Sequence, residues 1–252
     1  MAVKQPCEKE RLFELLIHDL TGPLSVISVS TASLLRDTGR NGSLTERQKS
    51  TLDRILRNVN RSQNLLREMI EIMRSEEGLF RKKPFSIDRV LKESILEVLD
   101  VGSRETVEKL ARERNVNRFC EMLEPYGIFI GISGKYGRSS FPHDPRKVQQ
   151  ILRNLLSNAL KHRRQRVDVT IGGDDELLIT VEDDGPGISQ KNRKSIFQRF
   201  VRLKNEKHPY VPGLGLGLAG VKALLESMGG GITFVSREGA GTRFSVNIPP
   251  LK

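Results

Sequence analysis

From about Glu8 to Glu77 apolar residues return every three or four positions, and almost nothing alternates with the period of a strand. Leu12, Leu16, Leu20, Leu24, Ile27, Leu34 and Leu35 trace one amphipathic helix. Leu52, Ile55, Leu56, Val59, Leu66, Met69, Ile70 and Met73 trace a second. Between them "RDTGRNGS" reads as a turn, and Ser43 or Thr45 can cap the helix that follows. The two helices form a hairpin with an apolar stripe on each member. A hairpin cannot cover both stripes alone, so the pattern predicts a homodimer in which two copies make a four-helix bundle.

The pattern changes after Gly78 and "RKKP". "PFSI" and "GIFIGI" predict short strands, and "DPRKVQQILRNLLSNALKHRR" predicts a helix. "VDVTIG" and "ELLITVED" predict a β-hairpin turned by "GGDD". "GLGLAGVKALLESMGG" predicts a helix closed by glycines, and "GITFVSREGAGTRFSVNIP" a final pair of strands. The sequence thus divides into a helical hairpin at 1–80 and a two-layer α/β sandwich at 81–252, an α+β chain overall. A charged helical stretch, "DVGSRETVEKLARERNVNRFCEML", stands near 101–123 between the first two strands. It reads either as a partner contact or as a harmless excursion.

Charge changes this picture little. The net charge of +11 invites a nucleic-acid reading, but the basic residues are spread along helices and mixed with acids, and aromatic residues are only 5%. No nucleic-acid partner is expected; a basic surface suits an acidic protein or a nucleotide. No run approaches the roughly 20 apolar residues of a membrane helix, and the N-terminus lacks a cleavable apolar core. The expectation is a cytoplasmic protein without direct membrane insertion. It is then either the core of a longer protein or a chain governed by a separate sensor. Cys7 and Cys120 make no disulfide framework, and the four histidines are scattered.

Candidate chemistry begins with "VPGLGLGLAGVKALL", where Gly215, Gly217 and Gly220 spell G-x-G-x-x-G. A dinucleotide fold needs an apolar strand running straight into the first glycine, and here the preceding "KNEKHPYVP" is polar and broken by proline. A dehydrogenase is disfavoured. Phosphate binding survives, because glycine at 213, 215 and 217 lets backbone amides approach an anion before a helix N-terminus. "VEDDGPGIS" puts Asp183 at a strand end ahead of Gly185 and Gly187, where a carboxylate can accept from an adenine amino group. "ILRNLLSNALKH" puts Asn154 and Asn158 on one helix face with Lys161 three further on. Amide oxygens suit Mg²⁺ shared with phosphates, and the lysine adds a point charge. Each motif has a plainer meaning by itself, a hairpin turn or a polar helix face.

In this order these motifs resemble the N, G1 and G2 boxes of the GHKL-type (Bergerat) ATP-binding fold of histidine kinases. "GAGTRFSVNIP", with Gly239, Gly241 and Thr242, resembles the family's last box, and "IFQRFVR", with Phe197 and Phe200, its F box. The likeness spans about 85–252. Upstream, "LLIHDLTGPLSVI" resembles the H box: His18 on the first helix, Asp19 beside it, Pro23 five later. A neutral imidazole is a good nucleophile near pH 7, and a neighbouring carboxylate can take or orient its proton. Proline inside a helix removes a hydrogen bond near that histidine.

The resemblance implies an ATP-dependent protein-histidine kinase using Mg²⁺. It autophosphorylates His18 and passes the phosphoryl group to an aspartate of a response regulator receiver domain. It further implies His18 as phospho-acceptor and Asp19 as general base. Asn154 and Asn158 would hold Mg²⁺ and phosphate, Lys161 would contact phosphate, His162 would flank adenine and Asp183 would bind it. Gly185, Gly187, Ile188, the Gly213, Leu214, Gly215, Leu216, Gly217, Leu218 stretch and Thr242 would shape the pocket. "SQKNRKSIFQRFVRLKNEKHPYVP" falls where the family has its lid, whose basic residues can neutralise phosphate.

Two departures stand out. The family usually carries Thr or Asn four residues after the histidine, for regulator dephosphorylation, and here that place is Gly22, with Thr21 one residue early. Weak or absent phosphatase activity follows. Leu214 replaces the usual small polar residue. The competing readings are a GHKL ATPase that does not need His18 and a phosphotransfer dimer whose ATP domain has become a docking module.

Overall fold

The computed structural model describes residues 8–36, 43–75, 80–99, 104–198, 201 and 217–251. The chain divides into two compact units, Met1–Arg74 and Ser75–Lys252.

The first unit holds helices α1 (Glu8–Arg36) and α2 (Glu46–Ser75). α2 opens on Thr45, not Ser43: the Thr45 hydroxyl accepts the Gln48 N–H at 3.3 Å, and the Gln48 side-chain oxygen accepts the Thr45 N–H at 2.9 Å. This reciprocal pair is a capping box. α1 runs unbroken through Pro23. Thr31 and Val59 are buried, and polar contacts bridge the helices, with Gln63 donating to Ser25 at 3.3 Å and Ser28 to Asn60 at 3.3 Å. Leu20, Ile27 and Leu34, spaced seven apart on α1, remain 51%, 43% and 39% exposed.

In the second unit β1 (Lys83–Phe85) leads into α3 (Ile87–Val98), α4 (Arg104–Arg112) and α5 (Val116–Leu123). Then come β2 (Ile128–Ile132), β3 (Phe141–His143), α6 (Pro145–His162), β4 (Val167–Gly172), β5 (Leu177–Asp183), α7 (Gly217–Ser227), β6 (Gly231–Arg237) and β7 (Gly241–Ile248). Five strands form one sheet in the order β2-β4-β5-β7-β6, parallel only between β2 and β4. β5 shows why the sheet has two faces: Leu177, Ile179, Val181 and Asp183 are buried, and the residues between them point the other way. On the outer face Glu182 pairs with Arg243 and Thr180 meets Ser245. On the inner face lies one continuous core that includes Leu91, Ile95, Ile151, Leu155, Val181 and Leu224. This is the expected two-layer sandwich.

Two features differ from the sequence pattern. β3, hidden in "FPH", pairs antiparallel with β1, from Lys83↔His143 to Phe85↔Phe141; three residues with a central proline are too short to show alternation. The insert is part of the core. Leu110, Phe119 and Leu123 of α4 and α5 are buried with the rest, Asn115 caps α5, and the Lys92 ammonium donates to the carbonyls of Ala111 and Glu113.

Candidate active site

Asp183 closes β5, facing Thr242 of β7 in register. It is 7% exposed, and its Oδ1 accepts the Gly185 N–H at 2.9 Å. Burial pushes its carboxyl up to about 6; the N–H groups of Gly185 and Thr242 pull the other way, and Asp184 and Glu182 add to the rise. A strand-end carboxylate with capacity left over is a ready acceptor.

The glycines behind it are spaces that backbone fills. A Cβ on Gly185 would lie 2.3 Å from the His162 carbonyl oxygen and 2.6 Å from Asp183 Oδ1, so the turn after β5 packs directly on the end of α6. Gly187 has φ +71°, and a Cβ there would meet the Arg237 carbonyl oxygen at 2.1 Å. Ile188, 8% exposed, donates its N–H to the Ser236 hydroxyl at 2.8 Å. That hydroxyl donates to the Gly241 carbonyl at 2.9 Å and lies 2.9 Å from the Thr242 hydroxyl. Asp183, Gly185, Gly187, Ile188 and Thr242 are therefore one locally bonded constellation.

α6 brings the amides. Its apolar face is packed through Val148, Ile151, Leu152, Leu155, Leu156 and Ala159, which leaves Asn154 and Asn158 half-buried at one edge. A Cβ on Gly217 would come within 3.3 Å of Asn154 Oδ1, so the amide lies against the first residue of α7. A helix start suits phosphate, and an amide oxygen beside it suits a cation shared with that phosphate. Among the described residues no group of three or more His, Cys, Asp and Glu is placed to hold a metal. His162 ends α6, and burial together with the Lys161 charge holds its imidazole below the usual range.

Lys161 also lines a groove of about 950 Å³ with Ser157, Tyr126, Phe129 and Arg163, which none of the other expected residues line. Gly213, Leu214, Gly215 and Leu216 lie outside the described residues; Gly217 and Leu218 open α7. His18 sits in the third turn of α1, and Asp19 is exposed beside it.

Two contributors were missed by motif reading, Asp184 and Ser236. Asp184 accepts the N–H groups of Arg164, Gln165 and Arg166 at 2.8 to 3.1 Å. Desolvation is the largest single effect and pushes this carboxyl up, but the N–H groups of Arg166, Gln165 and Arg164 together outweigh it and hold the carboxyl low. Ser236 ties three backbone segments together. Arg193, expected among the basic lid residues, donates to the Ser236 carbonyl. "DD" in the sequence marks two acids but not their division of labour, and Ser236 left no local signal.

Residues 143–252 match the family model described as histidine kinase-, DNA gyrase B-, and HSP90-like ATPase, and residues 8–78 match the His Kinase A (phospho-acceptor) domain. The circadian input-output histidine kinase CikA of Synechococcus elongatus is 28% identical over 237 residues, 92% of this chain and 29% of that protein. Sensor protein RstB of Escherichia coli K12 is 42% identical over 108 residues, 42% of this chain and 25% of that protein. The chain thus spans under a third of the length of these curated relatives. The solved structure of full-length ShkA in complex with AMPPNP shares the fold, with a TM-score of 0.66, 22% identity and coverage of 96% of this chain and 46% of that chain. With a phospho-acceptor module followed by an ATPase module of this kind, which together take in most of its length, the chain belongs to the histidine kinases.

Proposed function

We propose that the chain is an ATP-dependent protein-histidine kinase that autophosphorylates His18 and then serves a response regulator receiver domain. The observation that carries this reading is the buried, under-bonded Asp183 among Gly185, Gly187 and Thr242, on a chain whose first helix bears His18. Asp183 accepts from the adenine amino group, and Ile188 and His162 flank the ring. The start of α7 and the amides of Asn154 and Asn158 meet the phosphates. Asn154 and Asn158 offer the neutral oxygens that would hold Mg²⁺ shared with the ATP phosphates, and the ion would supply charge neutralisation there.

The chemistry left to the protein is mainly positioning. A neutral imidazole nitrogen of His18 bonds to the γ-phosphorus as the bond to the bridging oxygen breaks, and ADP leaves with that electron pair. Asp19 takes the proton from the other ring nitrogen. Receiver aspartate attack on the phosphohistidine then regenerates His18. The exposed seam of Leu20, Ile27 and Leu34 supports a homodimer through the hairpin. Among the described residues no helix is long and apolar enough to cross a membrane.

Incubation with γ-labelled ATP and Mg²⁺ tests the reading. The expected product is a covalent label stable to alkali and lost in acid, absent from His18→Gln. A label that persists in His18→Gln, or ATP hydrolysis unchanged by that substitution with no label in the wild type, would sink it and favour the ATPase alternative.

A further inference from the structure

Asp144 stands at a corner that the reading above leaves unused. It follows β3, caps α6 and is 6% exposed. Its Oδ1 accepts the Arg146 N–H at 3.0 Å, the ordinary bond of an N-cap. Its Oδ2 accepts the N–H of Arg81 at 3.0 Å, in the stretch through which the chain enters the ATPase unit. One carboxylate therefore grips both the incoming chain and the start of the helix that bears Asn154 and Asn158.

His143 sets the direction of that grip. Its Nδ1 accepts the Asp144 N–H at 2.7 Å, which places the ring proton on Nε2. Nε2 is buried and has no hydrogen-bond partner among the described residues. The ring is stacked on Phe141 at 5.8 Å and meets Phe80 edge-on at 5.5 Å. A phenyl ring would fill this space without leaving a buried donor unsatisfied. What only the imidazole adds is the acceptor that pins the Asp144 backbone.

We propose that Asp144, oriented by His143, is a positioning residue for autophosphorylation: it fixes the point at which the chain from the hairpin joins the ATPase unit. This rests on the kinase reading. The grip has two separable halves. Serine caps a helix about as well as aspartate, but its shorter side chain cannot also reach Arg81. Arg81→Pro removes the other donor and leaves the α6 cap alone. Both variants are expected to label His18 about tenfold more slowly at saturating ATP, as small misplacements do in reactions governed by positioning. Both are expected to bind a non-hydrolysable ATP analogue within about twofold of wild type, because each leaves the α6 cap in place.

Wild-type labelling rates in both variants overturn the proposal. So does a loss of analogue affinity in step with rate, the mark of a plain structural role. If the wild type itself takes no label at His18, the kinase reading fails instead. The grip is judged separately by amide exchange: an Arg81 N–H protected in wild type and released in Asp144→Ser supports it, and an unprotected one overturns it.

Discussion

Two neighbouring carboxylates, Asp183 and Asp184, do opposite work. Asp184 gathers three backbone N–H groups and holds the loop after α6. Asp183 is kept short of partners, and its carboxyl sits at about 6. Its neutral form is the one folding favours, so its contribution to stability is present near pH 4 and lost as pH rises through about 6. The loss amounts to about 3 kcal/mol at neutral pH, a figure on the order of the shift times 1.36. Asp183→Asn is therefore expected to raise the urea midpoint of the ATPase unit at pH 7.5 while abolishing ATP-analogue binding; a lowered midpoint refutes this. In the wild type, analogue affinity measured by calorimetry is expected to fall as pH drops below about 6, because protonation blunts the acceptor.

His143 has the reverse sign. Burial lowers its imidazole to about 4 despite the Asp144 charge, so the stability it contributes is whole above about 6.5 and fades toward pH 4. His143→Phe is expected to flatten the urea midpoint over that interval. An unchanged slope would remove His143 as its source. Asp183 was legible as a strand-end acid before two glycines. The burial that tunes it, and the whole His143–Asp144 corner, depend on residues far away in the chain.

At the scale of elements, α1 combines two residues that oppose a helix. Pro23 has no N–H to offer the carbonyl of Asp19, next to His18, and Gly22 precedes it. A Cβ on Gly22 meets nothing within 4 Å, so the site accepts a side chain without repacking. Gly22→Ala should stabilise the hairpin by about 0.5–1 kcal/mol in urea melts. Gly22→Thr should accelerate dephosphorylation of a phosphorylated receiver domain over both wild type and Gly22→Ala, and equal rates in all three would show that Gly22 is not what limits it. The long helices and the β-hairpin of β4 and β5 were readable because their periods persist over many residues. β3 was not, since three residues show no period, and the helices of the insert declared themselves while their buried Leu110, Phe119 and Leu123 did not.

For the molecule as a whole, the seam of Leu20, Ile27 and Leu34 leaves apolar surface uncovered on the hairpin, as do Val26 and Val29 of α1 and Ile55 of α2. A charge placed there would have to be desolvated in a dimer. Ile27→Glu should convert a dimer to monomers in sedimentation velocity; a variant that still sediments as a dimer would relocate the interface.

The two helices between α3 and β2 also bear on anyone who would exchange ATPase units among relatives. Because three of their side chains help to fill the interior, this stretch cannot be trimmed to match a shorter cousin without leaving a hollow. A graft boundary drawn through it would split what behaves as a single block. Chimaeras should carry this stretch together with the rest of the ATPase unit, residues 81–252, or not at all.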